Sequence, residues 1–131
     1  MTIIACPVAL NPDGATRRIA VYQTPDGTQH LVKTIVPTAD KATRAAAQAL
    51  YTVSTLETRA ALPIGTSSEI TADEVWHFTL CRIAPPIREQ WKHVCADTSA
   101  LLQFSWMTLD IPLNGFTETD KRALDWIKAT L

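Results

Sequence analysis

Glycine is scarce in this chain. There are 4 in 131 residues (Gly14, Gly27, Gly65 and Gly115), and no two stand close enough to form a backbone cradle for phosphate. No G-x-G-x-x-G, no Walker A run and no G-x-S-x-G is present, so neither a dinucleotide or P-loop site nor a serine-hydrolase elbow is expected. The 3 cysteines, Cys6, Cys81 and Cys95, are odd in number and form no C-x-x-C or C-x-x-H pair. That argues against a disulfide framework and a structural zinc site. Cys81 sits in the apolar run VWHFTLC and reads as a small core residue. Charge of one sign is also lacking: 12 basic and 13 acidic residues leave a net charge of -1. Nothing here points to nucleic acid or an anionic membrane as a partner. No apolar run reaches the ~20 residues that a membrane helix needs. The opening MTIIACPVAL has no basic start and is interrupted by Pro7, so no signal peptide is expected and a cytoplasmic location is the default.

What remains is the composition of a single globular domain over residues 1–131, with 47% hydrophobic residues. Residues 1–16 read as an extra edge strand, Ile3 to Leu10, closed by an Asn11-Pro12-Asp13-Gly14 turn. Arg18 to Gln23 is β-prone, Pro25-Asp26-Gly27 is a turn, and Gln29 to Val36 returns to complete a hairpin that Pro37 ends. Asp40 then reads as the N-cap of a helix. Its apolar stripe is Ala42, Ala45, Ala46, Ala49, Leu50 and Val53. A short strand at Leu62 to Ile64, a polar loop from Ser67 to Asp73 and a central strand at Val75 to Ile83 follow. Arg88 to Val94 is strand or a short helical turn, and Leu101 to Leu109 is the last strand. Thr117 to Asp120 caps a terminal helix carrying Leu124, Ile127 and Leu131. This order predicts an α+β fold, an α/β/α sandwich with a mixed sheet between helices.

One segment carries more than secondary structure. Thr34 to Leu56, TIVPTADKATRAAAQALYTVSTL, overlays without a gap on G-x5-E-x7-R-E-U-x-E-E-x-G-U, where U is bulky and apolar. Thr34 and Thr55 stand at the two glycine positions and Asp40 at the first glutamate. Gln48 stands at the arginine, with Ala49, Thr52 and Val53 at the three remaining acidic positions. Leu50 and Leu56 keep their type. Around it lie Lys33-Thr34-Ile35-Val36, Trp76-His77-Phe78 with Cys81-Arg82, Trp91-Lys92-His93, Phe104-Ser105-Trp106 with Leu109, and Ala123-Leu124-Asp125-Trp126-Ile127. In this order they resemble a bacterial subgroup of the Nudix hydrolase superfamily, from about Arg18 to the C-terminus. The resemblance implies a mixed sheet between helices. In active members it implies box carboxylates that hold Mg²⁺ or Mn²⁺ against a diphosphate, while a metal-bound water attacks phosphorus.

At residues 34–56 the box is degenerate. Ala49 and Val53 supply no oxygen ligand and Thr52 only a hydroxyl, so no metal ligands are assigned and no cofactor is expected. The reading that follows is a Nudix-fold protein without metal-dependent pyrophosphohydrolase activity. It would act as a module for a nucleotide-like ligand or a protein partner, a homodimer included. The alternative is a hydrolase of a nucleotide diphosphate derivative with a non-standard acidic site. That site would draw on Asp40, Glu57, Glu69, Asp73 and Glu74, and Mg²⁺ or Mn²⁺ enters only there. Against it, Asp40 reads as a helix cap, and the later acids as a solvated loop. Arg18, Arg82 and Arg88 are candidates for phosphate, and Trp91, between Gln90 and Lys92, for stacking on a planar ring. Core packing is the competing role for Trp91, and core or dimer interface for Trp126. His30 is expected to be exposed and His77 at least half-buried, while His93 and Asp97 are too loosely spaced to define a site.

Overall fold

Thr2–Leu10 (TIIACPVAL) is apolar at nearly every position, the pattern of a strand buried on both faces. It forms β1. The structure, a computed structural model, describes residues 1–12, 17–95, 98–110 and 113–131. The Asp13-Gly14 half of the expected turn and Asp97 therefore lie outside the described residues. β1 is central, not the edge strand expected of it. β6 (Glu74–Ile83) runs parallel to it from Thr2↔Glu74 to Leu10↔Arg82. On its other side β1 meets β4 (Thr34–Val36) at Ile3 to Ala5, and β2 (Arg18–Gln23) only at Leu10↔Ile19. Pro7, which has no N–H to give, falls in the stretch between those two partners, where a central strand tolerates it.

The remaining strands are β3 (Gln29–His30), β5 (Thr58–Ser67), β7 (Gln90–Val94) and β8 (Leu101–Thr108). The sheet runs in the order β5-β6-β1-β2-β8-β7, with β3 on β2 and β4 on β1. β5 is far longer than the expected Leu62 to Ile64, and Pro63 within it fits an edge strand. The expected return strand from Gln29 to Val36 is broken in two. β3 stays on β2, while β4 crosses to β1. β1 and β2 splay apart, and the broken strand fills the wedge between them. Asp120 pins the break. Its Oδ2 accepts the Leu31 N–H at 3.1 Å and its Oδ1 accepts Lys33 Nζ at 2.8 Å.

Helix α1 spans Ala42–Ser54 and α2 spans Glu118–Thr130. The alternation of β-strand side chains gives each helix its own face. Ile4, Cys6, Val8, Ile19, Val21, Trp76 and Phe78 pack with Ala123, Leu124 and Ile127 of α2. Ala9, Ala20, Cys81 and Ile83 pack with Leu50 of α1, while Ala5 and Val36 pack with Ala42 and Ala46. Alanine on both sides of that contact lets α1 lie close on the sheet. α2 starts as expected, with the Thr117 hydroxyl accepting the Asp120 N–H at 3.3 Å. α1 does not. Asp40 lies inside a 3-10 turn, Ala39–Lys41, and Lys41 takes the N-cap position with no side-chain cap bond. Cys6 and Cys81 are buried, and burial pushes both thiols above their ordinary range, which makes them inert packing groups. Among the described residues no helix is long and apolar enough to cross a membrane.

Candidate functional site

α1 buries Ala42, Ala46, Leu50 and Ser54 against the sheet. At 3.6 residues per turn, the flank that carries Lys41, Ala45, Gln48, Ala49, Thr52 and Val53 therefore faces sideways. It meets β4 across an open groove of about 570 Å³, whose other wall is Lys33 to Pro37. Gln48, Ala49, Thr52 and Val53, the positions that depart from the box, all line this groove. Among the described residues no carboxylate lines it, but Lys33, Lys41 and Arg44 do. Lys33 is already compensated by Asp120, whereas Lys41 and Arg44 make no ion pair among the described residues. Sequence reasoning missed all three cations. The signal was available in the helical spacing of Lys41 and Arg44 with Gln48 and Thr52, but Lys41 and Arg44 stand at unspecified positions of the box and Lys33 precedes it. Asp40 is exposed beside the groove without lining it, and the Thr38 side chain holds its carboxyl below the ordinary range.

The two glycine positions behave differently. Thr34 is an ordinary strand residue opposite Ala5. Thr55 ends α1 in the left-handed region, at φ 66 and ψ 5, with its N–H bonded to the Tyr51 carbonyl at 2.8 Å. The chain has kept the backbone turn of a glycine and placed a β-branched residue in it, which stores strain. Thr55→Gly is therefore expected to stabilise the protein by about 1 kcal/mol. A melting temperature equal to or below that of the wild type would refute it.

The remaining candidates do not converge. β5 and β6 pair from Thr58↔Ile83 to Ser67↔Trp76, which leaves Glu57 at one end of the hairpin and Glu69, Asp73 and Glu74 at the other, roughly 30 Å apart at ~3.3 Å per residue. Glu74 is occupied by the Thr71 hydroxyl and, at 3.2 Å, by the Trp76 indole N–H. Asp73 turns the chain at φ 61, and its carbonyl accepts the Thr2 N–H. Among the described residues no three His, Cys, Asp or Glu side chains gather as a metal site requires. Arg18 forms a two-pronged pair with Glu89 at 2.9 and 3.5 Å. Arg82 is exposed on β6, level with Leu10 and Ala60.

Arg88 and Trp91 do share a hollow of about 190 Å³ with Glu57, Tyr51 and the Pro85-Pro86 pair. Trp91 is nonetheless a core ring. It is 7% exposed, stacks on Phe104 at 5.3 Å and donates its indole N–H to the Ser54 carbonyl at 2.8 Å, so it offers no free face to a planar ligand. His93 Nδ1 lies 2.9 Å from the Val53 carbonyl, and with Trp91 it ties the end of α1 to β7. His30 is half-buried instead of exposed, stacked on Tyr22, and burial lowers its pKa. His77 is half-buried.

No family model and no curated protein matches the chain. Solved structures do match, over nearly the whole length. An ADP-ribose pyrophosphatase from Streptococcus suis aligns over 96% of this chain and 91% of its own, with a TM-score of 0.63 and 14% identity. A MutT NUDIX hydrolase from Burkholderia pseudomallei aligns over 95% of both chains, with a TM-score of 0.64 and 14% identity. The NUDIX domain of Shewanella oneidensis NrtR, solved with ADP ribose, aligns over 97% of this chain and 86% of its own, with a TM-score of 0.63 and 9% identity. The chain has the Nudix fold. Its groove, lined by the flank of the box helix, does not fit the divalent cation of that fold's enzymes. Mg²⁺ is held through carboxylates, substrate oxygens and water. Here the flank offers Ala49, Val53, one Thr52 hydroxyl and the Gln48 amide, next to Lys41 and Arg44, two cations without an ion pair among the described residues, which repel a third.

Proposed function

We propose that this protein is a Nudix-fold binding module for a nucleotide-like ligand, without metal-dependent hydrolysis of nucleoside diphosphate derivatives, and that ligand occupancy serves a regulatory or interaction role. One observation carries the reading. The helix flank that faces the groove carries Ala49, Thr52 and Val53 where the resemblance implies carboxylates. The NrtR domain, a structural neighbour solved with ADP ribose, supports the ligand class. The rival hydrolase built from Asp40, Glu57, Glu69, Asp73 and Glu74 has little support, because these side chains are dispersed over the fold.

Pure protein incubated with ADP-ribose or a nucleoside diphosphate sugar, in Mg²⁺ or Mn²⁺, is expected to release no product above a protein-free blank. Nudix-type turnover would be conspicuous, since enzymes typically accelerate such reactions by at least ~10⁶-fold. Turnover that survives repurification and is abolished by chelator would end the reading.

A further inference from the structure

The groove has lost its carboxylates without becoming neutral. In a metal-dependent site, acidic side chains make the helix flank negative and bound cations reverse that sign toward phosphate. Here the sign is already reversed by side chains. Lys41 and Arg44 line the groove on the same flank as Gln48 and Thr52, and neither makes an ion pair among the described residues, although the neighbouring Asp40 carboxylate acts on Lys41. From Lys41 to Thr52 this flank is about 16 Å long at ~1.5 Å per residue, more than a diphosphate needs. Apart from Lys33 and Thr34 the rest of the lining is apolar, with Ala45, Ala49 and Val53 on the helix side and Ile35, Val36 and Pro37 on the other wall. Ile35 is 71% exposed, a large apolar side chain left in water inside a concave site.

We infer that Lys41 and Arg44 bind the diphosphate group of the ligand directly, in place of the metal ion, and that the apolar wall at Ile35 and Val53 takes the remainder of the molecule. The inference rests on the ligand-binding reading above and makes it specific. An arginine fork fits two phosphate oxygens at once, and lysine supplies a compact charge beside it. Gln48 adds an amide donor where an arginine would otherwise be tied to a carboxylate. Lys33 contributes less, because Asp120 already holds its ammonium at 2.8 Å. Binding is then independent of divalent cations and falls with salt. Added Mg²⁺ weakens it by sequestering the diphosphate.

The test is calorimetric titration of the full chain with inorganic pyrophosphate and with ADP-ribose, once in EDTA and once in excess Mg²⁺. Both probes are expected to bind in EDTA, with equal or lower affinity in Mg²⁺. Lys41→Glu combined with Arg44→Glu should weaken binding by a hundredfold or more, at roughly tenfold for each ~1.4 kcal/mol of lost charge-assisted bonding. Both side chains are exposed, so the melting temperature without ligand should not move. Ala49→Glu with Thr52→Glu, which returns carboxylates to the flank, should also abolish binding in EDTA. Binding in EDTA that ignores both variants would overturn the inference and leave the ligand-binding reading standing. Binding only with Mg²⁺ would overturn the inference and leave the ligand-binding reading to the hydrolysis assay. Absence of binding by either probe at millimolar concentration would overturn the inference, whereas the hydrolysis assay still decides the loss of catalysis separately.

Discussion

Asp120→Ala is expected to remove about 3 kcal/mol of stability, a fall of roughly 10–15 °C in melting temperature for a domain of this size. Asp120 is fully buried, at 0% exposure, in the first turn of α2. Its two oxygens close the gap where the return strand divides, one on the Leu31 N–H and one on Lys33 Nζ. Alanine leaves the buried Leu31 amide without its acceptor, an expense of ~1–3 kcal/mol. The Lys33 side chain is 33% exposed and can turn toward water, so its share is smaller than that of a fully buried pair. Asp120→Asn keeps an acceptor of the same shape for Leu31 and loses only the charge. It should recover about half of the loss. Urea denaturation of the two variants separates these parts. A loss below ~1 kcal/mol for alanine would mean that the β3–β4 break is held by packing of Leu31 and Val32 rather than by the carboxylate.

No reading of local pattern finds Asp120, because its partner Leu31 is 89 positions away. What local pattern does find is the element whose cause is local. The alanine stripe predicts α1, Thr117 predicts the start of α2, and the apolar run from Val75 predicts β6. The errors arise where a distant partner decides. β1 reads as an edge strand until β6 is laid along its whole length. The return strand reads as continuous until β1 captures its second half. For Trp91 the local pattern leaves both stacking and core packing open, and strand alternation decides for the core by turning Gln90 and Lys92 outward and the ring inward. The candidate groove divides in the same way. The neutral residues at its box positions are legible one position at a time. Its positive rim is legible only in part: Lys41 and Arg44 share one helical flank, but Lys33 joins them only when the chain of β4 is placed beside α1.

Gly65→Val is expected to destabilise the protein by about 3 kcal/mol, in two separable parts. Gly65 sits in β5 opposite Phe78, beside a register shift, at φ +150. That backbone conformation belongs almost entirely to glycine, and a side chain there costs ~1–3 kcal/mol. The second part is steric. A Cβ at Gly65 would lie 2.8 Å from Cζ2 and 2.9 Å from Cη2 of Trp126, and overpacking of a fixed ring adds ~1–3 kcal/mol. The ring is fixed because it stacks on Phe78 at 4.1 Å with 12° between the planes. It is thus a core contact between α2 and the β5–β6 hairpin. Trp126→Leu in the same molecule removes the steric part and leaves the backbone part. The double variant should therefore be less destabilised than the sum of the two single changes, with a coupling of about 1 kcal/mol or more. Strict additivity would show that Gly65 is required by its backbone angle alone. A loss under ~0.5 kcal/mol for Gly65→Val would show that the edge strand moves freely beneath Trp126. In that case α2 would be anchored chiefly by Ala123, Leu124, Ile127 and Asp120.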